Sequence, residues 1–404
     1  MTLNAVSSGC PAGFQLTRPV KLTCIALCLA QALYLGVSFV QGSWLVDQNG
    51  QAIATDFVNV WASGRHVLDG NPTAAYDLTI HKQVEDAAVR HPFDGVYPWI
   101  YPPTYLFVAT LLALLPFVAA HAAWVFLTFP AYVAAVRGIV GHRIGILLAC
   151  AYPGILSNFT TGQNGFVTAA LLGGALGFLE RNPILAGCLI GLLSVKPHLG
   201  ILVPLVLIAG RYWRVMIAAA VVTLLLVAAS WAAFGIDTWE AFFQALPVAS
   251  QATLTDGRAD WAKLQSVFAV TRLFGGSEGL AWALHGSLVT AVAILLVAMW
   301  RSKISFDMKA AALATGTLLT TPYLFLYDLA LLAMPMAFLV RASLRSGDMP
   351  SEMLRLAPAC LLILLFPFVT APVGLAATLT VALLIARRAR LEFEVAIATD
   401  RQVS

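Results

Sequence analysis

Charge is what this sequence has least of. Only 11% of its 404 residues are Asp, Glu, Lys or Arg, less than half of the roughly 25% usual for soluble domains. A water-exposed globular surface cannot be built on so few charges. The 60% of residues that are hydrophobic place the chain in a bilayer instead. The net charge of +4 is small and reflects anchoring on the cytoplasmic side, not nucleic-acid binding. Internal repeats, low-complexity tracts and a separate soluble domain are all missing. The six cysteines (Cys10, Cys24, Cys28, Cys150, Cys188, Cys360) lie mostly within or beside apolar runs and lack metal-ligand spacing. They read as small apolar fillers.

What is present is a succession of apolar runs of helical length, approximately 21–40, 104–136, 144–158, 165–179, 183–195, 199–209, 215–234, 280–300, 310–326, 328–340, 356–370 and 373–386. A spanning helix needs about 20 residues, fewer where neighbours shelter its ends. The pattern predicts an all-α polytopic membrane protein of about 12 transmembrane helices, some of them broken inside the protein. With the N-terminus in the cytoplasm and 104–136 taken as one span, 17 of the 24 Lys and Arg residues fall on the cytoplasmic side, as the positive-inside tendency requires. A cleaved signal peptide ending near Ala30-Gln31-Ala32 is the competing reading of the N-terminus, but the apolar run continues to Val40. The expected organisation is a cytoplasmic tail over 1–20, one transmembrane domain over 21–386, and a second cytoplasmic tail over 387–404. The expected setting is a membrane that the chain crosses several times.

Two segments outside the membrane are large, 41–103 and about 235–279. In the first, Thr55 can cap a helix that carries Phe57, Val60, Trp61, Val67 and Leu68 on one face and ends at Asp69-Gly70-Asn71-Pro72. Such a helix lies along the membrane surface. Asp77 can cap a second helix, roughly 78–90. Asp56 then sits in the first turn of the interfacial helix. Taken alone it complements the helix dipole. Polar residues at other outward boundaries offer a second reading: "TTGQNG" at 160–165, "SVKPH" at 194–198 and "TPYLFLYD" at 321–328. Lys196 and Asp328 are expensive between apolar runs unless paired or facing a wet cavity. Together these residues point to a polar cavity opening outward. Two classes fit, a transporter or flippase that relays ions or lipid-linked solutes, and a transferase acting on a lipid-borne substrate. Repeat-built transporters carry internal symmetry, which is absent here, and a large ordered first loop favours the transferase.

Five motifs in order carry a family resemblance. "TDFVNVWASGRHVLDGNPTAAYD", "YPPTYLF", "GQNG", "KPH" and "PYLFLYDLALL" resemble glycosyltransferase family 87, polyprenyl-phosphate-sugar-dependent transferases of the GT-C class, over about residues 21–345. The resemblance implies a GT-C fold with a helical first outer loop, whose Asp-Phe motif carries the essential acid, here Asp56. It further implies a mannosyl-phospho-polyprenol donor, a glycan or glycolipid acceptor, and inverting transfer on the periplasmic or extracytoplasmic face. Tyr327-Asp328 stands where some mannosyltransferase relatives have histidines.

Such a donor needs one group to deprotonate the acceptor hydroxyl and cations to meet the departing phosphate. Asp56 is the candidate general base. Lys196 and His198 are candidates for the phosphate, Pro197 breaking the helix between them; a lysine snorkelling to the interface is the alternative for Lys196. Arg258 and Lys263 in the second outer loop are further phosphate candidates, against a plain solvated loop face. His66, ten residues after Asp56, can share its face or be a surface polar residue. Gln163 and Asn164 can bind sugar hydroxyls or cap a helix break, and Tyr327 and Asp328 complete the substrate-binding set. Tyr101-Pro102-Pro103 presets the chain's entry into the second span. Neither a DxD-like pair nor a Gly-rich loop before a helix occurs, which argues against a nucleotide-sugar donor. No cofactor is expected, and the spacing of Asp69 and Asp77 leaves a metal requirement open.

Overall fold

The structure, a computed structural model, describes residues 16–369 and 371–403, excluding the side chains from 396 onward. Most of the predicted N-terminal tail, with Cys10, lies outside the described residues. The chain is all-helical: α1 (Arg18–Val40), α2 (Phe57–Leu68), α3 (Leu78–Val89), α4 (Leu106–Ala113), α5 (Phe117–Val140), α6 (Ile144–Ala151), α7 (Ile155–Thr161), α8 (Gly165–Phe178) and α9 (Pro183–Leu192) form the first half. The second half holds α10 (Val203–Ala209), α11 (Trp213–Phe234), α12 (Ile236–Ser250), α13 (Val267–Leu273), α14 (Glu278–Arg301), α15 (Phe306–Thr320), α16 (Ala333–Ser346), α17 (Met349–Leu365) and α18 (Val373–Val403). Short 3-10 turns connect several of these, and no strand forms among the described residues.

Among the described residues, six helices are long and apolar enough to cross a membrane, and seven if the α6–α7 pair, bent by 59°, counts as one span. This makes the chain a membrane protein, with fewer such helices than the twelve its apolar runs predict. The difference comes from proline and glycine. Pro153 and Gly154 separate α6 from α7, Gly162 ends α7, Pro183 opens α9, and Lys196-Pro197 separates α9 from α10, so several runs form helices shorter than a full span. The run 104–136 likewise splits before Pro116 into the short α4 and the full-length α5. The segment predicted as a C-terminal tail from 387 continues α18.

The helix of the first large loop turns its apolar face to protein, not to lipid. Phe57, Val58, Val60, Ala62 and Ser63 are all buried. α2 packs along α4, and the Trp61 indole N–H donates to the Leu115 carbonyl at 2.8 Å. Phe57, expected to face lipid, instead stacks on His121 and leans on Phe117 at the start of α5. An amphipathic pattern reports that one face seeks apolar contact, and here the contact is protein. The second loop helix follows the prediction, with the Asp77 carboxylate accepting from the backbone N–H groups of Thr79 and Ile80.

Candidate active site

α2 brings Asp56 to the site. Thr55 does not cap this helix through its side chain, since its hydroxyl is buried without a hydrogen bond. Asp56 occupies the cap position but makes no capping bond either. Its carboxylate turns away from the helix, and Oδ2 accepts from Gln163 Nε2 at 3.4 Å. The helix-dipole role is therefore not where its hydrogen bonding goes.

Gln163 reaches Asp56 because α7 ends at Gly162, which adopts φ +69° and lies against Phe57 and His121 so closely that a Cβ would collide with both. Glycine alone fits that conformation in that space. Asn158 then reinforces the break, its Oδ1 accepting from Gly165 N at 2.9 Å and its Nδ2 donating to the Tyr327 carbonyl at 2.8 Å. A Cβ on Gly165 would overlap that same carbonyl. Capping at this break thus falls to Asn158, and the side chains of Gln163 and Asn164 are committed elsewhere.

Asn164 turns to the lysine. Lys196 Nζ donates to Asn164 Oδ1 at 3.0 Å and to Asp328 Oδ1 at 2.5 Å, and lies 5.0 Å above the Tyr327 ring. Lys196 is 4% exposed and Asp328 1%, so the lysine is buried and paired, not snorkelling. Its backbone leaves the helical region between two 3-10 turns, Leu193–Val195 and Pro197–Gly200, as the Lys-Pro break predicts. Asp328 is held in turn by the Phe325 N–H on its Oδ2 at 3.1 Å. His198 is half-buried beside this turn, and its Nε2 has no hydrogen-bond partner.

The second large loop joins through a short pairing. Leu264 bridges Phe325, and Gln265 N donates to the Leu324 carbonyl at 2.6 Å, which anchors the Trp261–Lys263 turn to the segment carrying Tyr327 and Asp328. Lys263 is exposed, yet its charge acts on Asp56. Burial pushes the Asp56 carboxyl above its ordinary range, and the Gln163 hydrogen bond and the charges of Lys263 and Lys196 oppose that shift. A carboxylate with raised affinity for a proton beside two cations is suited to take a proton while an anion departs nearby.

The predicted residues do not all meet. Asp56 and Gln163 form one hydrogen-bonded pair, and Asn164, Lys196 and Asp328, with the Tyr327 ring beside the lysine, form a second set. The two adjoin through the neighbouring residues Gln163 and Asn164, while His198 lies in the turn after Lys196 and Lys263 acts on Asp56 by its charge. Arg258 pairs with Asp256 at 3.3 Å on the loop surface. His66 is buried, not a surface residue, and lies 5.4 Å ring to ring from His81 of α3. The partner residues that sequence reading passed over are Asn158, which sits in no motif, and Tyr101, read as a chain-entry residue. Tyr101 donates its phenol to Gln163 Oε1 at 2.9 Å, and its place in the Tyr-Pro-Pro motif was the available signal. Among the described residues no group of three or more His, Cys, Asp or Glu is arranged to hold a metal ion.

A family profile described as glycosyltransferase family 87 matches residues 99–322, more than half of the chain. The chain belongs to glycosyltransferase family 87. It is thus a glycosyltransferase, with a sugar donor and an acceptor as its partners. The matched segment holds Tyr101, Gln163, Asn164, Lys196, His198 and Lys263, while Asp56 and Asp328 lie outside it and are tied to it by the hydrogen bonds above. Comparisons with curated proteins and with solved structures each gave no match.

Proposed function

We propose that this glycosyltransferase moves a sugar, mannose, from a polyprenyl-phosphate donor to a lipid-linked or glycan acceptor on the outer face of a bacterial inner membrane. The observation that carries the reading is the hydrogen bond of Asp56, on the first large loop, to Gln163 at the α7–α8 break, next to Asn164, which holds the buried ammonium of Lys196, in a chain with several apolar helices long enough to cross a membrane. Such a site, fed from the bilayer, suits a donor whose phosphate is carried on a lipid. In the reaction, Asp56 accepts the proton of an acceptor hydroxyl as that oxygen bonds to the anomeric carbon. The bond from that carbon to the phosphate oxygen breaks, and its electron pair leaves with the polyprenyl phosphate. Attack opposite the leaving group inverts the anomeric centre. Lys196, His198 and Lys263 are the groups for the departing charge, electrostatic stabilisation being the main lever for such a step. Because Asp328 already pairs with Lys196, it sets how much of that cation the phosphate meets. Tyr327 offers a ring face beside the lysine for the sugar.

The test is donor choice. Purified protein in vesicles is given radiolabelled mannosyl-phospho-polyprenol or GDP-mannose together with a cell-envelope lipid extract as acceptor. Transfer from the lipid donor alone supports the proposal, and transfer from the nucleotide sugar alone refutes it.

A further inference from the structure

A primary amide can turn either its oxygen or its nitrogen toward a neighbour, and the choice matters beside a carboxylate. Gln163 is 5% exposed and Tyr101 7%, so neither can exchange these partners for bulk water. The Tyr101 phenol donates to Gln163 Oε1 at 2.9 Å, and this leaves Nε2 as the atom facing Asp56 Oδ2 at 3.4 Å. The phenol is itself held, its ring centroid 5.0 Å from both Trp99 and Tyr105. Turning the amide over would set its oxygen against the carboxylate and leave the phenol proton without an acceptor. Hydrogen-bond networks decide amide orientation in this way, and buried ones do so with more at stake than exposed ones.

We propose that Tyr101 and Gln163 are positioning residues for Asp56, the phenol locking the amide so that its N–H holds one carboxylate oxygen and leaves the other to take the acceptor's proton. The inference rests on the reading of Asp56 as the base. It removes Gln163 from the sugar-binding role that its place at the helix break suggested, because both ends of its amide are committed. The other charged or titratable groups facing Asp56 are Lys196, Lys263, Tyr97 and Tyr327. The two lysines also favour the ionised carboxylate, so losing the amide bond weakens the preference without abolishing it. Donation from an N–H stabilises the ionised form. Its loss makes Asp56 hold its proton to higher pH.

Tyr101→Phe keeps the ring packing and deletes only the phenol. The expected result is an acidic limb of kcat/KM moved upward by about one pH unit, with kcat about tenfold lower on that limb and restored at high pH. KM for a polyprenyl-phosphate sugar and for the acceptor stays within about twofold. Gln163→Met removes the amide, is expected to show the same shift, and carries the test should Tyr101→Phe fail to fold. An unshifted pH profile with a raised KM would overturn the proposal and return Gln163 to the substrate. Asp56→Asn is run alongside: if it is inactive at every pH while Tyr101→Phe is unshifted, the positioning role alone fails. If it transfers sugar as wild type does, the base assignment falls and the positioning role with it.

Discussion

The two ends of α2 bury ionisable side chains in opposite ways. At its start, Asp56 bonds Gln163, whose chain neighbour Asn164 holds the lysine of the Lys196–Asp328 ion pair, so the residues gathered there come from positions as far apart as 56 and 328. At its end, His66 meets His81, which lies 3.5 Å from Glu85, all on the neighbouring loop helices. Burial lowers His66, holds His81 down to about 3 and pushes Glu85 up to about 8. His81 and Glu85 are within ion-pair distance, yet both shifts favour the neutral forms, and with both side chains fully buried we read the contact as neutral. Burial of titratable groups therefore does not by itself mark the chemistry. What separates the clusters is the convergence of distant segments, which only the Asp56 end has; a cation acts at both ends, but Lys82, which acts on Glu85, is already paired with Asp86 on its own helix.

The comparison can be broken first at its charged end. Lys196→Met leaves Asp328 buried without its partner, and removing one member of a buried pair costs about 3–5 kcal/mol. The variant should melt well below wild type in detergent, and Lys196→Met/Asp328→Asn should recover most of the loss. Both should remain poor at using a polyprenyl-phosphate sugar, because the cation for the phosphate is gone. If the double variant melts no higher than the single one, the pair is not the source of the cost.

At the neutral end the effect is smaller and depends on pH. Glu85 has a folded value of about 8 against an ordinary 4.5, so the stability it contributes is complete below about pH 4.5 and is lost as pH rises through 8. His81, at about 3 against 6.5, acts in the opposite direction, losing its contribution as pH falls from 6.5 toward 3. Glu85→Gln cannot ionise and can still accept from the Tyr97 N–H, which bonds the carboxylate at 3.2 Å. It should melt roughly 3–6 °C above wild type at pH 8 and close to wild type at pH 5. An equal change at both pH values would show that Glu85 is not the titrating group. The smallest effect belongs to His66→Asn, which should leave kcat and both KM values within about twofold; a loss of 100-fold would place His66 in the site after all.

Sequence reading saw local features well and convergent ones poorly. The Asp77 cap, the end of α2 at Asp69-Gly70 and the break at Lys196-Pro197 are each set by neighbours in the chain, so the residues alone reveal them. The polar clusters at helix breaks were also legible, because Lys196 and Asp328 are costly in apolar surroundings unless paired. The burial of Phe57 was not, since Phe117, His121 and Gly162 arrive from sixty to a hundred residues away. His66 was misplaced for a related reason: helical spacing says which residues can share a face, but not which partner that face meets. Fewer helices reach full spanning length than the apolar runs suggested, because apolar content sets what can enter a bilayer, while proline and glycine decide how long each helix runs.

The central claim is that Asp56 takes the acceptor's proton during transfer from a lipid-borne donor. Asp56→Asn keeps the shape and can still bond Gln163 through its amide oxygen, while its basicity is gone. Its direct measurement is the single-turnover rate of transfer from mannosyl-phospho-polyprenol by purified wild type and Asp56→Asn, with matched thermal melts. The account predicts the same melting temperature and transfer slower by about 100-fold or more. Near wild-type transfer by a normally folded Asp56→Asn would contradict it.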